Sequence, residues 1–283
     1  MNEMSFRRYV LYCDYDGTLT GRNGILRKGT EEAVKRFTDA GGLFAMASGR
    51  PVKDAAKFPF MINAPSVLQN GALVYDTLHE TLLRYEVMHE EIQEILLDLH
   101  ERVPEAGISL CLLHGRRYAF FFYEPVWPSS YVLTFSDLKD LHDHRIFMNK
   151  EFTQASITGT KEMLKEAEEM LDELHPEVSH FVSAPGFVNI TAKKATKGQS
   201  IRWLKENLYQ DRILIVCGDG ANDLDMMKEA DVSFAMEEGF AKTREAADVI
   251  LPSDDVSPVV RIQEMIRSGE IEKILQIKRA DAA

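Results

Sequence analysis

Four aspartates have the spacing that chemistry needs. Asp14 and Asp16 lie one residue apart at the end of an apolar run, YVLYCDYDGTLT over residues 9–20, and Asp219 and Asp223 close a second such run as GDGAND over residues 218–223. Crowded carboxylates repel one another unless a cation or a shared proton compensates, so a site built from them suits a divalent metal. For the stretch around Asp14 alone, the plainer alternative is a polar strand end followed by a turn. Lys197 opens a predicted helix, where the helix dipole disfavours a cation by about 0.3–1 kcal/mol. It is either a surface lysine or one that faces anions.

These side chains need strand ends to hold them. Tyr9 to Cys13 is uncharged and β-prone, the signature of a strand buried on both faces of a parallel sheet. Asp14 then stands at the carboxyl end, where open α/β sheets bind ligands. Side chains alternate along a strand, so Asp14 and Asp16 share a face until Gly17 turns the chain. Thr30 to Ala40 predicts an amphipathic helix, with Glu31 and Glu32 in its first turn and Gly41-Gly42 at its end. Leu43 to Ala47 predicts the next buried strand, followed by Ser48, Gly49 and Arg50; a parallel β-α-β unit brings Ser48 to the same edge as Asp14. After a short helix between Pro51 and Pro59, Asn70-Gly71 precedes a hairpin of Ala72–Tyr75 with Leu82–Tyr85. The alternation resumes with a helix from Thr196 to Leu208, capped by Thr196 and Gln199. Strands Ile213–Cys217, Val232–Met236 and Val249–Leu251 follow, and a helix from Ser257 ends the chain.

Residues 86–191 break this alternation. A helix over His89–Arg102, strands over Gly107–Leu113, Tyr118–Tyr123, Arg145–Asn149 and Phe152–Thr158, a helix over Thr160–Leu174 and a hairpin of Val178–Ser183 with Phe187–Thr191 give an α+β order. The expectation is an inserted domain at 86–191 within a core made of 1–85 and 192–283. Tethered at both ends, it can close over the carboxyl edge of the core sheet, which favours small substrates. In it, Tyr118, Phe120 and Phe122 share one strand face and Phe121 and Tyr123 the other, with Trp127 and Tyr131 beyond, as core or as a ligand platform.

Composition narrows the class. A length of 283 residues suits two domains, and 45% hydrophobic residues allow real cores. The net charge of -12 and pI near 5.2 argue against nucleic acid as a partner. With no long apolar stretch at the start, and none approaching the roughly 20 residues of a membrane span, a soluble cytoplasmic protein without a membrane partner is expected. Cys13, Cys111 and Cys217 are odd in number and show no CxxC spacing, which points to buried free thiols rather than a disulfide framework or structural zinc.

In order, DYDGT at 14–18, SGR at 48–50, Lys197-Gly198 and GDGAND at 218–223 resemble the four motifs of haloacid dehalogenase (HAD) superfamily phosphatases. An insertion between Ser48 and Lys197 is similar to the Cof-type, class IIB branch, and Asn70-Gly71-Ala72 resembles a recurrent feature of it. Two stretches depart from the pattern: Met236-Glu237-Glu238-Gly239 where the family often has MGNA, and Asp254 to Pro258 where it has a DGV-like turn. Both loops border the expected site.

The resemblance implies an α/β fold, a Rossmann-like core with a parallel sheet plus an inserted α+β cap that selects substrate. It implies a Mg²⁺-dependent phosphatase of small phosphorylated metabolites, sugar phosphates foremost, working through an aspartyl-phosphate. Asp14 is implied as nucleophile and Asp16 as general acid and base. Asp14, the Asp16 main-chain carbonyl and Asp219 are implied as the Mg²⁺ set, with Asp223 as a nearby ligand or as an orienter through water, and Ser48, the Gly49 amide, Lys197 and Asn222 as binders of the phosphoryl oxygens. A phosphomutase or phosphotransferase on the same scaffold and a non-enzymatic receiver-like phospho-switch are the rival readings. A receiver needs neither a general acid two residues after its nucleophile nor a cap. A dinucleotide-binding loop is disfavoured by Asp223 standing where GxGxxG requires its third glycine, and a calcium loop by Gly17 standing at position four, with Asp14 as position one, rather than at position six.

Overall fold

The computed structural model describes residues 5–55, 57–113, 117–121, 141–184 and 186–281. They form two compact units, one from 1–84 with 197–283 and the other from 85–196. In the first unit, the uncharged run becomes β1 (Tyr9–Cys13), buried along its whole length. The helix α1 (Thr30–Asp39) buries Ala33, Val34 and Phe37, and β2 (Leu43–Met46) pairs parallel to β1. After α2 (Val52–Ala55) come β3 (Ser66–Leu68), β4 (Leu73–Asp76) and β5 (Thr81–Tyr85), a small sheet in that order. The first of these strands meets the end of β2 through a parallel bridge between Ala47 and Val67.

The second unit runs α3 (Ile92–Arg102), β6 (Gly107–Leu112), β7 (Arg117–Phe121), β8 (Phe152–Thr158), α4 (Lys161–Leu174), β9 (Val178–Ala184) and β10 (Phe187–Ala192). Its sheet has the order β7-β6-β8-β10-β9 and is antiparallel throughout. The apolar stripes of the two helices, among them Ile92, Leu96, Leu99, Leu164, Ala167 and Leu171, share one core with Ile108, Ile157 and Ile190 of the sheet. Thr160 caps α4 by accepting from the Met163 amide at 3.3 Å.

The chain returns to the first unit through α5 (Lys197–Asn207), β11 (Ile213–Gly218), α6 (Leu224–Glu229), β12 (Val232–Met236), α7 (Ala241–Ala246), β13 (Val249–Leu251), α8 (Pro258–Ser268) and α9 (Glu270–Asp281). Its main sheet is parallel, in the order β13-β12-β11-β1-β2. The strand order therefore reverses between β1 and β11. Such a switch point leaves a crevice at the carboxyl ends of the strands, the usual ligand position in open α/β sheets. Cys13 pairs with Cys217 across it, and these two cysteines, like Cys111, are buried and in no disulfide.

Local expectations fail in three places. The one helix expected from Ser257 is two, α8 and α9, parted at Gly269, which takes a left-handed φ of 78°. Arg145–Asn149 is not a strand but a tight turn over His144–Ile146: the Asp143 side chain accepts from the Arg145 amide, and Asn149 takes a left-handed φ of 53°. A side chain that satisfies the backbone locally competes with ladder pairing. The strand β3 was not expected, because three residues carry no readable periodicity. Among the cap aromatics singled out above, Phe122, Tyr123, Trp127 and Tyr131 lie outside the described residues. Among the described residues, no helix is long and apolar enough to cross a membrane.

Candidate active site

The site starts where β1 stops. The Asp14 amide donates to the Cys217 carbonyl at 2.8 Å, so the parallel register carries one step past the strand and sets Asp14 at the switch point. An irregular turn, Tyr15–Leu19, then leads the chain away, with Gly17 at φ 92°. A Cβ on Gly17 would lie 2.3 Å from Asp219 Oδ2, so glycine serves both the left-handed backbone and the close approach. The Thr18 hydroxyl donates to Asp219 Oδ1 at 2.6 Å and joins the two strand ends.

Asp14, Asp219 and Asp223 each offer an oxygen, all within 4.8 Å of one another. Lys197, the first residue of α5, has no side-chain exposure and donates to Asp14 Oδ1 at 2.8 Å and Asp223 Oδ1 at 2.6 Å. The second oxygen of Asp223 accepts from the amides of Asp219 and Gly220 at 2.9 and 2.8 Å. Burial, opposed by Lys197 and reinforced by Asp223 and Asp219, pushes Asp14 well above its ordinary value. Burial and the charge of Asp223 push Asp219 up to about 6, against the Thr18 hydrogen bond and the charges of Lys197 and Arg27. Burial alone would lower Lys197, but Asp14 and Asp223 outweigh it and hold the ammonium charged. Three carboxylates against one ammonium leave an excess of negative charge that one divalent cation neutralises. The donor set is all oxygen, which fits a hard ion such as Mg²⁺.

A second group forms around Asn70, a buried residue at φ 57°. Its amide donates to the Ser48 carbonyl at 3.1 Å, and its side-chain oxygen accepts from Asn222 Nδ2 at 2.9 Å. A Cβ on Gly49 would come within 2.9 Å of that same oxygen. The buried Ser48 hydroxyl accepts from the Arg50 amide at 3.2 Å. Ser48, Gly49 and Asn222 are thus gathered by one asparagine.

Asp16 is held differently. Arg50 donates to both of its oxygens, at 2.9 and 2.8 Å, and lies over the Tyr15 ring at 4.5 Å. The Asp16 side chain is 58% exposed. Sequence reasoning passed over Arg27, whose buried guanidinium bonds the main-chain carbonyls of Thr18, Gly17 and Asp254. It stands in a polar connection before α1 where no periodicity or motif marks it. Asn70 was visible as part of a turn and of a resemblance, without its partners.

Residues 11–262 match the sequence profile of haloacid dehalogenase-like hydrolases. The chain belongs to that family. A 5-amino-6-(5-phospho-D-ribitylamino)uracil phosphatase of Bacillus subtilis is 24% identical over 283 residues, covering 91% of this chain and 97% of the relative. A solved phosphatase of the haloalkanoate enzyme superfamily from Bacteroides thetaiotaomicron superposes with a TM-score of 0.74 at 20% identity, covering 93% of this chain and 96% of the other. A structure described as a HAD subclass IIB sugar phosphatase gives a TM-score of 0.70 at 21% identity, with 92% and 99% covered. At such identities the structural likenesses establish the HAD fold: a Rossmann-like core with an inserted α+β cap.

Proposed function

We propose that this HAD phosphatase hydrolyses small metabolites carrying phosphate on a sugar or polyol chain, with Mg²⁺ as its metal. The observation that carries the reading is Lys197, buried between Asp14 and Asp223 within an acidic cluster at the sheet's switch point. Phosphoryl transfer needs a nucleophile, a cation site and a fixed ammonium together. Asp14, Asp219, Asp223 and the Asp16 main-chain carbonyl would hold the ion, which when bound neutralises charge on the phosphoryl oxygens.

Asp14 attacks phosphorus, forming an aspartyl-phosphate as the ester P–O bond breaks. Asp16 gives its proton to the leaving oxygen and then takes one from the water that splits the intermediate, releasing phosphate and restoring the Asp14 carboxylate. To do so, Asp16 exchanges the Arg50 fork for the leaving oxygen. Ser48, the Gly49 amide, Lys197 and Asn222 bind the phosphoryl oxygens. Substrate selection falls to the inserted unit.

Two comparisons support the substrate class: one relative is named for a phosphoribityl compound and one structural neighbour is called a sugar phosphatase. The net charge of -12 disfavours nucleic acids and most phosphoproteins as substrates. The test is phosphate release from a broad panel of phosphorylated metabolites with Mg²⁺. Sugar and polyol phosphates are expected to lead nucleotides. A preference for phosphopeptides overturns the substrate class, and transfer to a second hydroxyl without net phosphate release identifies a mutase instead.

A further inference from the structure

Arg27 is 7% exposed, yet among the described residues no carboxylate pairs with it. Burying a guanidinium without an anion is costly unless its donors are fully used. Here the planar fork is spent on main-chain carbonyls: Nε on Thr18 at 2.9 Å, Nη2 on Gly17 at 3.3 Å and Nη1 on Asp254. The first two belong to the turn that leaves Asp14. The third belongs to the loop that departs from the family pattern, and that loop is itself fixed. The Lys28 amide donates to the Asp255 carbonyl at 2.7 Å, the Ser257 amide donates to the Lys28 carbonyl at 3.0 Å, and Lys28 pairs with Val256.

We infer that Arg27 is a positioning residue for the metal-binding face, clamping the Gly17–Thr18 turn to the Asp254 loop so that the Thr18 hydroxyl meets Asp219. The inference rests on the proposed reading that Asp219 holds the metal. A chain of bonds runs from the 254–257 segment through Arg27 to the Thr18 carbonyl, and from the Thr18 hydroxyl to Asp219 Oδ1 at 2.6 Å. Lysine would keep the charge at this position but could not bridge three carbonyls lying on two segments.

The test is Mn²⁺ binding followed by electron paramagnetic resonance, which needs no turnover, on wild type, Arg27→Lys, Arg27→Gln, Thr18→Val and the Arg27→Lys, Thr18→Val double variant. Arg27→Lys and Thr18→Val should each weaken Mn²⁺ binding by about 10- to 100-fold, the usual cost of losing an outer partner of a ligand. The double variant should be no weaker than Thr18→Val alone, because both act on one contact. At saturating metal, KM for an aryl phosphate should stay within about threefold of wild type while kcat falls. Wild-type Mn²⁺ affinity in a folded Arg27→Lys or Arg27→Gln overturns the inference, as do losses that multiply in the double variant. If neither Arg27 variant folds, the residue only stabilises the core and the inference fails. A wild-type protein that binds Mn²⁺ but hydrolyses no ester removes the proposed activity while leaving this inference standing.

Discussion

Asp14 and Asp16 are neighbours but one in the chain, and their surroundings have almost nothing in common. Asp14 is 6% exposed, bonded to a buried lysine and crowded by two further carboxylates, whereas the Asp16 side chain is 58% exposed and held by the Arg50 fork. A group that attacks phosphorus in line gains from being fixed, since reach and angle are then set before substrate arrives. A group that must give up a proton and regain it needs exchangeable partners and access to water. The irregular turn at Tyr15–Leu19 separates these two environments within a few residues.

The comparison breaks most visibly at Asp14. Asp14→Asn should lower turnover by roughly 10⁴-fold or more, the scale on which lost nucleophiles are felt, with a normal circular dichroism spectrum. Appreciable phosphatase activity in the pure variant would refute covalent catalysis there. Asp16→Asn should cost about 10²- to 10⁴-fold on alkyl phosphates and much less on an activated aryl phosphate, whose leaving oxygen needs little protonation. Equal losses on both substrates would remove Asp16 from the acid role.

Lys197→Met leaves Asp14 and Asp223 buried without their cation. Losing one partner of a buried pair costs about 3–5 kcal/mol, and added Mg²⁺ should return part of it by binding only the folded form. Denaturant titrations with and without the metal measure both quantities, and an unchanged midpoint would mean that the lysine is not needed to balance the cluster.

The pH dependence follows from Asp219, whose carboxyl is pushed up to about 6 mainly by burial and the charge of Asp223. An acid with a raised folded-state value binds its proton more tightly when folded. The metal-free protein therefore loses stability as pH rises from the ordinary carboxylate range through about 6. A cation must displace that proton and any held by Asp14, whose carboxyl burial also pushes up, so Mg²⁺ affinity should fall by at least about tenfold for each pH unit below 6. Metal titrations at pH 5 and 7.5 giving the same affinity would count against Asp219 as a ligand. The smallest effect belongs to the exposed pair: Arg50→Gln should change stability by less than about 1 kcal/mol, as solvent screening limits such ion pairs. A larger drop in the melting midpoint would show that Arg50 does more than hold Asp16.

Much of this was legible in the residues alone. The runs at Tyr9, Leu43 and Ile213 became β1, β2 and β11, three of the four motifs stand at the ends of these strands and the fourth, Lys197-Gly198, opens α5, because period, burial and termination are local properties of the chain. Glu31 and Glu32 with Gly41-Gly42 bounded α1 for the same reason. The turn at His144–Ile146 shows the limit, since its apolar residues looked like a strand while one aspartate side chain redirected the backbone. Partner choice was beyond reach. Lys197 lies 183 residues from Asp14 and 26 from Asp223, Asn70 lies 152 from Asn222, and Arg27 lies 227 from Asp254. Nothing local says which carboxylate a buried lysine meets, or that an arginine will choose carbonyls over acids. Those pairings follow from sheet order and from the parallel register of β1 on β11, which bring distant strand ends together before any side chain selects a partner.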